Sequence, residues 1–95
     1  MQELARQLND SNIEIRRQAV EKMNGMKDRS CIPLLMTAMK DISWRVRKTA
    51  VDILFQDYAI DEYIDGLIQL LYIEDNAGAR NSAIEALIRL GKRST

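Results

Sequence analysis

The stretch DISWRVRKTAVDIL, residues 41–54, supports two interpretations of this chain. Cationic side chains in it and just before it surround Trp44, a pattern typical of a nucleic-acid patch with a stacking aromatic ring: Lys40, Arg45, Arg47 and Lys48. The stretch also holds apolar residues at helical spacing, namely Val46, Ala50, Val51 and Leu54. That second pattern is typical of one unit in a packed helical array.

The chain contains three copies of this pattern, which favours the packed array. A shift of 31 residues aligns the stretch with residues 10–23, and a shift of 33 aligns it with residues 74–87. The same class of residue recurs at matching positions: Ile15, Val46 and Ala79; Arg16, Arg47 and Arg80; Ala19, Ala50 and Ala83; Val20, Val51 and Ile84. The extra residue of the third copy falls in the turn IEDNAG, residues 73–78, where an insertion disturbs a fold least.

Each copy predicts two helices joined by short turns. The first helices are expected at residues 2–8, 30–40 and 61–73, and the second helices at residues 12–24, 43–55 and 77–90. Capping residues are expected at the starts of the second helices: Ser11 in a capping box with Glu14, Ser43, and Asn76. Gly25 and Gly91 are expected just past helix ends.

These hairpins resemble HEAT repeats, in the compact form shared with the phycobilisome-lyase-like HEAT proteins. The resemblance covers essentially the whole chain, and the third copy departs from it by its longer turn and by Ala79 in place of valine or isoleucine. The tetratricopeptide and ankyrin signatures are absent. The resemblance implies an all-α, right-handed superhelix of three helical hairpins at about 1–25, 30–56 and 61–91, in a single domain spanning 1–95.

An arginine lies on the apolar stripe of each second helix when about 100° is allowed for each residue. It needs a partner, because burying an unpaired charge is costly. The obvious partners are the acids of the turns, namely Asp10, Asp41 and Glu74 or Asp75. The resemblance implies a structural ladder between neighbouring repeats, formed by Asp10, Arg16, Asp41, Arg47, Asp75 and Arg80. The alternative role for these arginines is ligand binding.

The opposite face of the second helices is the candidate binding surface. The resemblance implies that these helices line the inner, concave side of the solenoid. The side chains expected to contact a partner are Arg17, Arg45, Lys48, Asp52 and Asn81. Charges of both signs alternate on this face, which suits a protein or peptide better than a phosphate backbone. The alternative is a face that is merely solvated.

The other residues that could form a binding or catalytic site are better explained by structural roles. Trp44 aligns with Ile13 and Ala77, and we interpret it as a large apolar residue that closes a repeat junction. Cys31 is interpreted as a buried structural thiol, since the chain has no histidine to activate it. The acids at 57–65 lack the spacing of a calcium loop. The sequence predicts no catalytic residue, metal site or cofactor.

The charge balance limits the classes of function. Lys and Arg equal Asp and Glu at 14 each, although ten of the basic residues lie within residues 1–48. We expect a non-enzymatic protein-interaction module or scaffold that presents a helical groove to a protein or peptide. The alternatives are nucleic-acid binding through the basic N-terminal half and an accessory role related to chromophore lyases.

Location and assembly are predicted from simpler features. The sequence shows no signal peptide and no apolar run of membrane-spanning length, so we expect a cytoplasmic protein without membrane contact. Met1, Leu4, Ala5 and Leu8 form an apolar stripe on a first helix that is short for a capping element. We therefore expect either a segment of a longer protein or self-association through the ends.

Overall fold

The computed structural model describes residues 1–93, which fold into six α-helices and one short 3₁₀ turn, Ile60–Glu62. The helices are α1 (Gln2–Gln7), α2 (Ile13–Lys22), α3 (Cys31–Ala38), α4 (Trp44–Asp57), α5 (Ile64–Leu71) and α6 (Ala77–Arg93). They form three successive hairpins, α1–α2, α3–α4 and α5–α6. The prediction of an all-α helical repeat solenoid is confirmed.

Contacts run within each hairpin and between successive second helices, so α2, α4 and α6 form a continuous layer. Small residues allow this close approach, because Ala19, Ala50 and Ala83 occupy matching positions and are all 0% exposed. Met23 and Leu54, at another matching pair of positions, are also fully buried. The repeated sequence positions are therefore the positions that build one common core.

Side chains of the turns define where the second helices begin. Helix α2 starts at Ile13 because the Asn12 side chain accepts a hydrogen bond from the backbone N–H of Glu14, at 2.9 Å. The predicted capping box of Ser11 with Glu14 is therefore wrong. The prediction holds at α6, where Asn76 Oδ1 accepts from the N–H of Ala79 at 3.0 Å.

The third hairpin departs from its predicted boundaries. The helix expected at 61–73 is broken at Tyr63 (φ −137°), which separates the 3₁₀ turn from α5. The break lets the Tyr63 ring, 2% exposed, stack on Phe55 of the preceding hairpin with 6.4 Å between ring centroids. Gly25 has the left-handed φ of +80° expected after a helix. Gly91, by contrast, lies inside α6, so its predicted role as a terminator is wrong.

Cys31, the first residue of α3, lies in the core and is 0% exposed. Burial raises the pKa of its thiol, so the group is protonated at neutral pH. The neighbouring Tyr58 hydroxyl donates to the Asp28 carbonyl at 2.9 Å, and burial raises the pKa of Tyr58 to about 12. Both groups therefore act as packing and hydrogen-bonding elements of the core.

Candidate functional site

The three repeat arginines tie each second helix to the turn that precedes it. One guanidinium nitrogen, Nη1, donates to a backbone carbonyl of that turn in every copy. The acceptors are Asp10 for Arg16, Asp41 for Arg47 and Ile73 for Arg80, each at 2.8 Å. These nitrogens are thus occupied by the scaffold and satisfy carbonyls that helix geometry leaves open.

The contact with the following repeat differs from copy to copy. Arg16 Nε donates to Asp41 Oδ2 at 2.9 Å, in a pair whose side chains are 11% and 9% exposed. Arg47 Nε donates instead to the neutral Ser82 Oγ at 2.8 Å. Within residues 1–93, Arg80 has no acceptor for its Nε. The structure therefore places an ion pair at the first junction and a neutral hydrogen bond at the second.

Two of the predicted ladder acids have other positions. Asp10 uses a carboxylate oxygen to accept from the backbone N–H of Asn12 at 2.8 Å. Asp75 lies in the longer third turn with φ of +58° and is exposed. Among the described residues neither carboxylate pairs with a repeat arginine. The extra residue in the third turn changes the backbone there, and Ser82 meets Arg47 instead.

Gly78 packs directly against the Arg47 guanidinium. A Cβ at Gly78 would lie 2.7 Å from Nη1 and 2.9 Å from Cζ of Arg47. These atoms have little freedom to move, because Arg47 is held by Ser82 and by the Asp41 carbonyl. The glycine therefore gives α6 its close approach to α4.

Gly78→Ala is expected to lower the free energy of unfolding by about 1 kcal/mol or more, because the methyl group displaces Arg47 from its hydrogen bonds. Urea denaturation measures this change. The matched control is Gly91→Ala, also in α6 but with open space around it, which should stabilise by up to about 1 kcal/mol. In an Arg47→Ala background, Gly78→Ala should stabilise as well. Stabilisation in the wild-type background would contradict this account.

Two adjacent clefts lie along the side of the second helices that faces away from the core, and we call them together the cleft row. The first, about 410 Å³, lies between α2 and α4. The second, about 480 Å³, lies between α4 and α6. The first is lined by Glu14, Arg17, Trp44, Arg45, Lys48 and Asp52. The second is lined by Trp44, Arg47, Lys48, Asn81, Glu85 and Arg89.

Trp44 and Lys48 belong to both clefts and separate them. The Trp44 side chain is 59% exposed, and the Arg45 guanidinium carbon lies 5.5 Å from its ring centroid. The prediction that Trp44 closes a repeat junction is therefore wrong. The matching residues Ile13 and Ala77 are also exposed, so the first residue of each second helix lies beyond the packed surface.

A family model for HEAT repeats matches residues 1–88. The chain belongs to the HEAT repeat family. HEAT repeats are generally protein-interaction scaffolds. A comparison with curated proteins and one with solved structures found no significant match.

The charges of the cleft row in this HEAT repeat protein are largely paired on the surface. Arg17 lies between Glu14, at 2.8 Å, and Glu21, and its hydrogen bond holds the pKa of Glu14 below its usual range. Asp52 accepts from both Lys48, at 3.1 Å, and Arg89, at 3.0 Å. Exposed pairs of this kind contribute little to stability, so a partner can replace them at small cost.

The residues proposed from the sequence as a contact row are divided between the two clefts. Arg17, Arg45 and Asp52 line the first, Asn81 lines the second, and Lys48 lines both. Arg89 also lines the second cleft and was not predicted. Its signal in the sequence was its spacing of four residues from Glu85, along the same face of α6.

A metal-ligating cluster and a membrane-spanning helix are both absent from residues 1–93. No cluster of three or more potential metal-ligating side chains occurs within residues 1–93. No helix in that range has the length and apolar character needed to cross a bilayer.

Proposed function

We propose that this HEAT repeat chain is a non-enzymatic interaction module that binds a protein partner along the cleft row. The observation that carries the proposal is Trp44, a large aromatic side chain that is 59% exposed where the two clefts meet. Exposed tryptophan and arginine side chains in grooves are the residues that most often dominate binding energy at protein interfaces.

The proposed mechanism is rigid display. Buried positions of the repeats hold α2, α4 and α6 in place, so binding requires little ordering of the backbone. An apolar side chain of the partner packs on the Trp44 ring. Arg45 has no carboxylate within ion-pair distance among the described residues, which leaves it available to an acidic group of the partner. The paired cations then exchange their own acids for polar groups of the partner.

The pairing pattern favours a protein partner over nucleic acid. Glu14, Asp52 and Glu85 line the same clefts as the cations and would face a phosphate backbone. Nucleic-acid affinity depends on unpaired cations that release counterions. With a formal net charge of zero, the chain also lacks the long-range attraction that steers a polyanion.

The test is affinity capture from extract of the native cells, followed by measurement of affinity for the captured protein. Trp44→Ala should weaken that affinity by at least about tenfold, because the residue is the central anchor. Its matched control is Tyr72→Ala, which removes a more exposed aromatic ring (79% exposed) that lies outside the cleft row. Lys48→Glu should weaken binding, while Lys27→Glu, the same charge change in the loop after α2, should not.

Two outcomes would overturn the proposal. One is a partner whose affinity is unchanged by Trp44→Ala and Lys48→Glu. The other is salt-dependent affinity for duplex or single-stranded nucleic acid at about 50 mM salt, which would support the basic-surface alternative.

A further inference from the structure

The third repeat exposes an apolar side chain at a position that the first two repeats bury. Val20, Val51 and Ile84 occupy matching positions on the second helices and are 0%, 6% and 45% exposed. Val20 and Val51 are each covered in an array that continues with another hairpin. Ile84 keeps the apolar character of the position, although residues 1–93 contain no hairpin beyond it.

At two more positions an apolar side chain of the second repeat contacts the next hairpin, and the matching apolar side chain of the third repeat is exposed. Met36 packs against Gly66 of the next hairpin, where a Cβ added to the glycine would lie 2.8 Å from the Met36 Cε. The counterpart of Met36 in the third repeat is Ile68, which is 42% exposed. Phe55 stacks on Tyr63 of the next hairpin, and its counterpart is Ile88, 53% exposed. Within residues 1–93, these isoleucines therefore occupy junction positions that no following hairpin covers.

Arg80 supplies an independent observation on the same side of the third repeat. Its counterparts each reach into the following hairpin, Arg16 to Asp41 and Arg47 to Ser82. Arg80 keeps only the bond to its own turn among the described residues. It therefore presents an open donor beside the apolar side chains.

We propose that this surface, the end face, binds the end face of a second copy of the chain in a two-fold symmetric dimer. The end face consists of Ile68, Tyr72, Arg80, Ile84 and Ile88. Tyr72 is included because its counterpart, Lys40, lines a cleft together with Gly66 of the next hairpin. Its exposed apolar residues become buried against one another. The exposed acids of the adjacent turn, Glu74 and Asp75, supply carboxylates to Arg80 across the two-fold axis.

The N-terminal end of the array decides between this arrangement and a head-to-tail one. Ile53 and Ala86 are 4% and 1% exposed, and the matching position in the first repeat is Lys22, which is exposed. Gln18, likewise exposed, matches Thr49 and Ser82. Head-to-tail stacking would bury these polar groups against isoleucine, which is unfavourable. Pairing of two end faces places apolar groups on apolar groups.

The size of the end face sets the expected strength. A 17-residue helix is about 25 Å long and two packed helices are roughly 18 Å wide, so the face measures roughly 450 Å² on each copy. That is about half the area that each partner buries in a standard stable interface. We therefore expect a weak dimer with a dissociation constant on the order of 10–100 µM.

Sedimentation equilibrium of the full chain, from about 5 to 500 µM, tests the proposal across the expected dissociation constant. The wild type should fit a monomer–dimer equilibrium, and Ile88→Glu should raise the dissociation constant by tenfold or more. Tyr72→Glu, at a side chain 79% exposed, should do the same, and it serves if Ile88→Glu disturbs folding as judged by circular dichroism. The matched control is Ile42→Glu, at an isoleucine 91% exposed in another turn, which should leave the constant unchanged.

Three results would overturn the proposal. The first is a monomer at the highest concentration. The second is growth beyond a dimer, which would show head-to-tail stacking. The third is an equal response to Ile88→Glu and Ile42→Glu. Trp44 lies outside the end face, so Trp44→Ala should leave dimerisation intact. This test is therefore independent of the cleft row.

Discussion

Arg16→Ala is expected to lower the free energy of unfolding by about 3–5 kcal/mol, the largest effect of any single polar substitution in this chain. The variant leaves the Asp41 carboxylate, which is 9% exposed, without its charge partner. It also releases the carbonyl of Asp10, to which Arg16 donates. Since domains of this size have a total stability of roughly 5–15 kcal/mol, the loss should be evident in urea denaturation.

The repeat itself provides the controls for this prediction. Arg47→Ala removes a side chain from the matching position, but its partner in the next hairpin is the neutral Ser82, so the expected loss is about 1–2 kcal/mol. Arg80 has no such partner among the described residues, so Arg80→Ala should lower the free energy of unfolding by less than about 1 kcal/mol. Losses of equal size at the three positions would show that the contact with the following repeat is not what matters.

Leu54→Ala is expected to lower the free energy of unfolding by about 3 kcal/mol, because Leu54 is 1% exposed and its removal leaves a cavity. Thermal and urea denaturation both measure the effect. The matched control is Leu87→Ala, which removes the same side chain from the corresponding place in the third repeat, where it is only half-buried. That variant should lose about 1 kcal/mol, because less apolar surface returns to water. The expected difference disappears if a further hairpin covers Leu87.

The fold followed from the sequence because burial is encoded at repeated positions. Ala19, Ala50 and Ala83 share one spacing, and each is fully buried. The repeat arginines were equally informative, since a guanidinium on an apolar stripe requires acceptors nearby. The structure supplies those acceptors as carbonyls of the preceding turn in all three copies.

Details that depend on the placement of neighbouring elements could not be predicted. The repeat alignment placed Trp44 at a repeat junction, but an alignment contains no information on how the neighbouring helices are positioned. Asp75 was predicted to be a ladder acid, yet in the longer turn it has a φ of +58°, and Arg47 contacts Ser82 instead. The break at Tyr63 likewise depends on its stacking with Phe55, a contact between hairpins.

The candidate site was predictable as a surface and less so in its detail. The alternation of charges indicated the side of the second helices that faces away from the core. The five residues proposed there line its two clefts, namely Arg17, Arg45, Lys48, Asp52 and Asn81. Their role in binding stays a prediction. The position of Trp44 between the clefts was not predictable, because a large apolar residue in a repeat is normally buried.

The unequal junctions have a consequence for how the chain opens. In a linear array, stability is approximately the sum of the stabilities of the units and of nearest-neighbour couplings. The repeat arginine of the first coupling forms an ion pair with Asp41, whereas the repeat arginine of the second forms a neutral bond to Ser82. We therefore expect local opening to begin at the third hairpin, so that amide hydrogen exchange is faster in α6 than in α2 and the cleft between α4 and α6 is lost before the cleft between α2 and α4. The two halves of one binding surface thus have different lifetimes, and a partner that spans both holds the array closed.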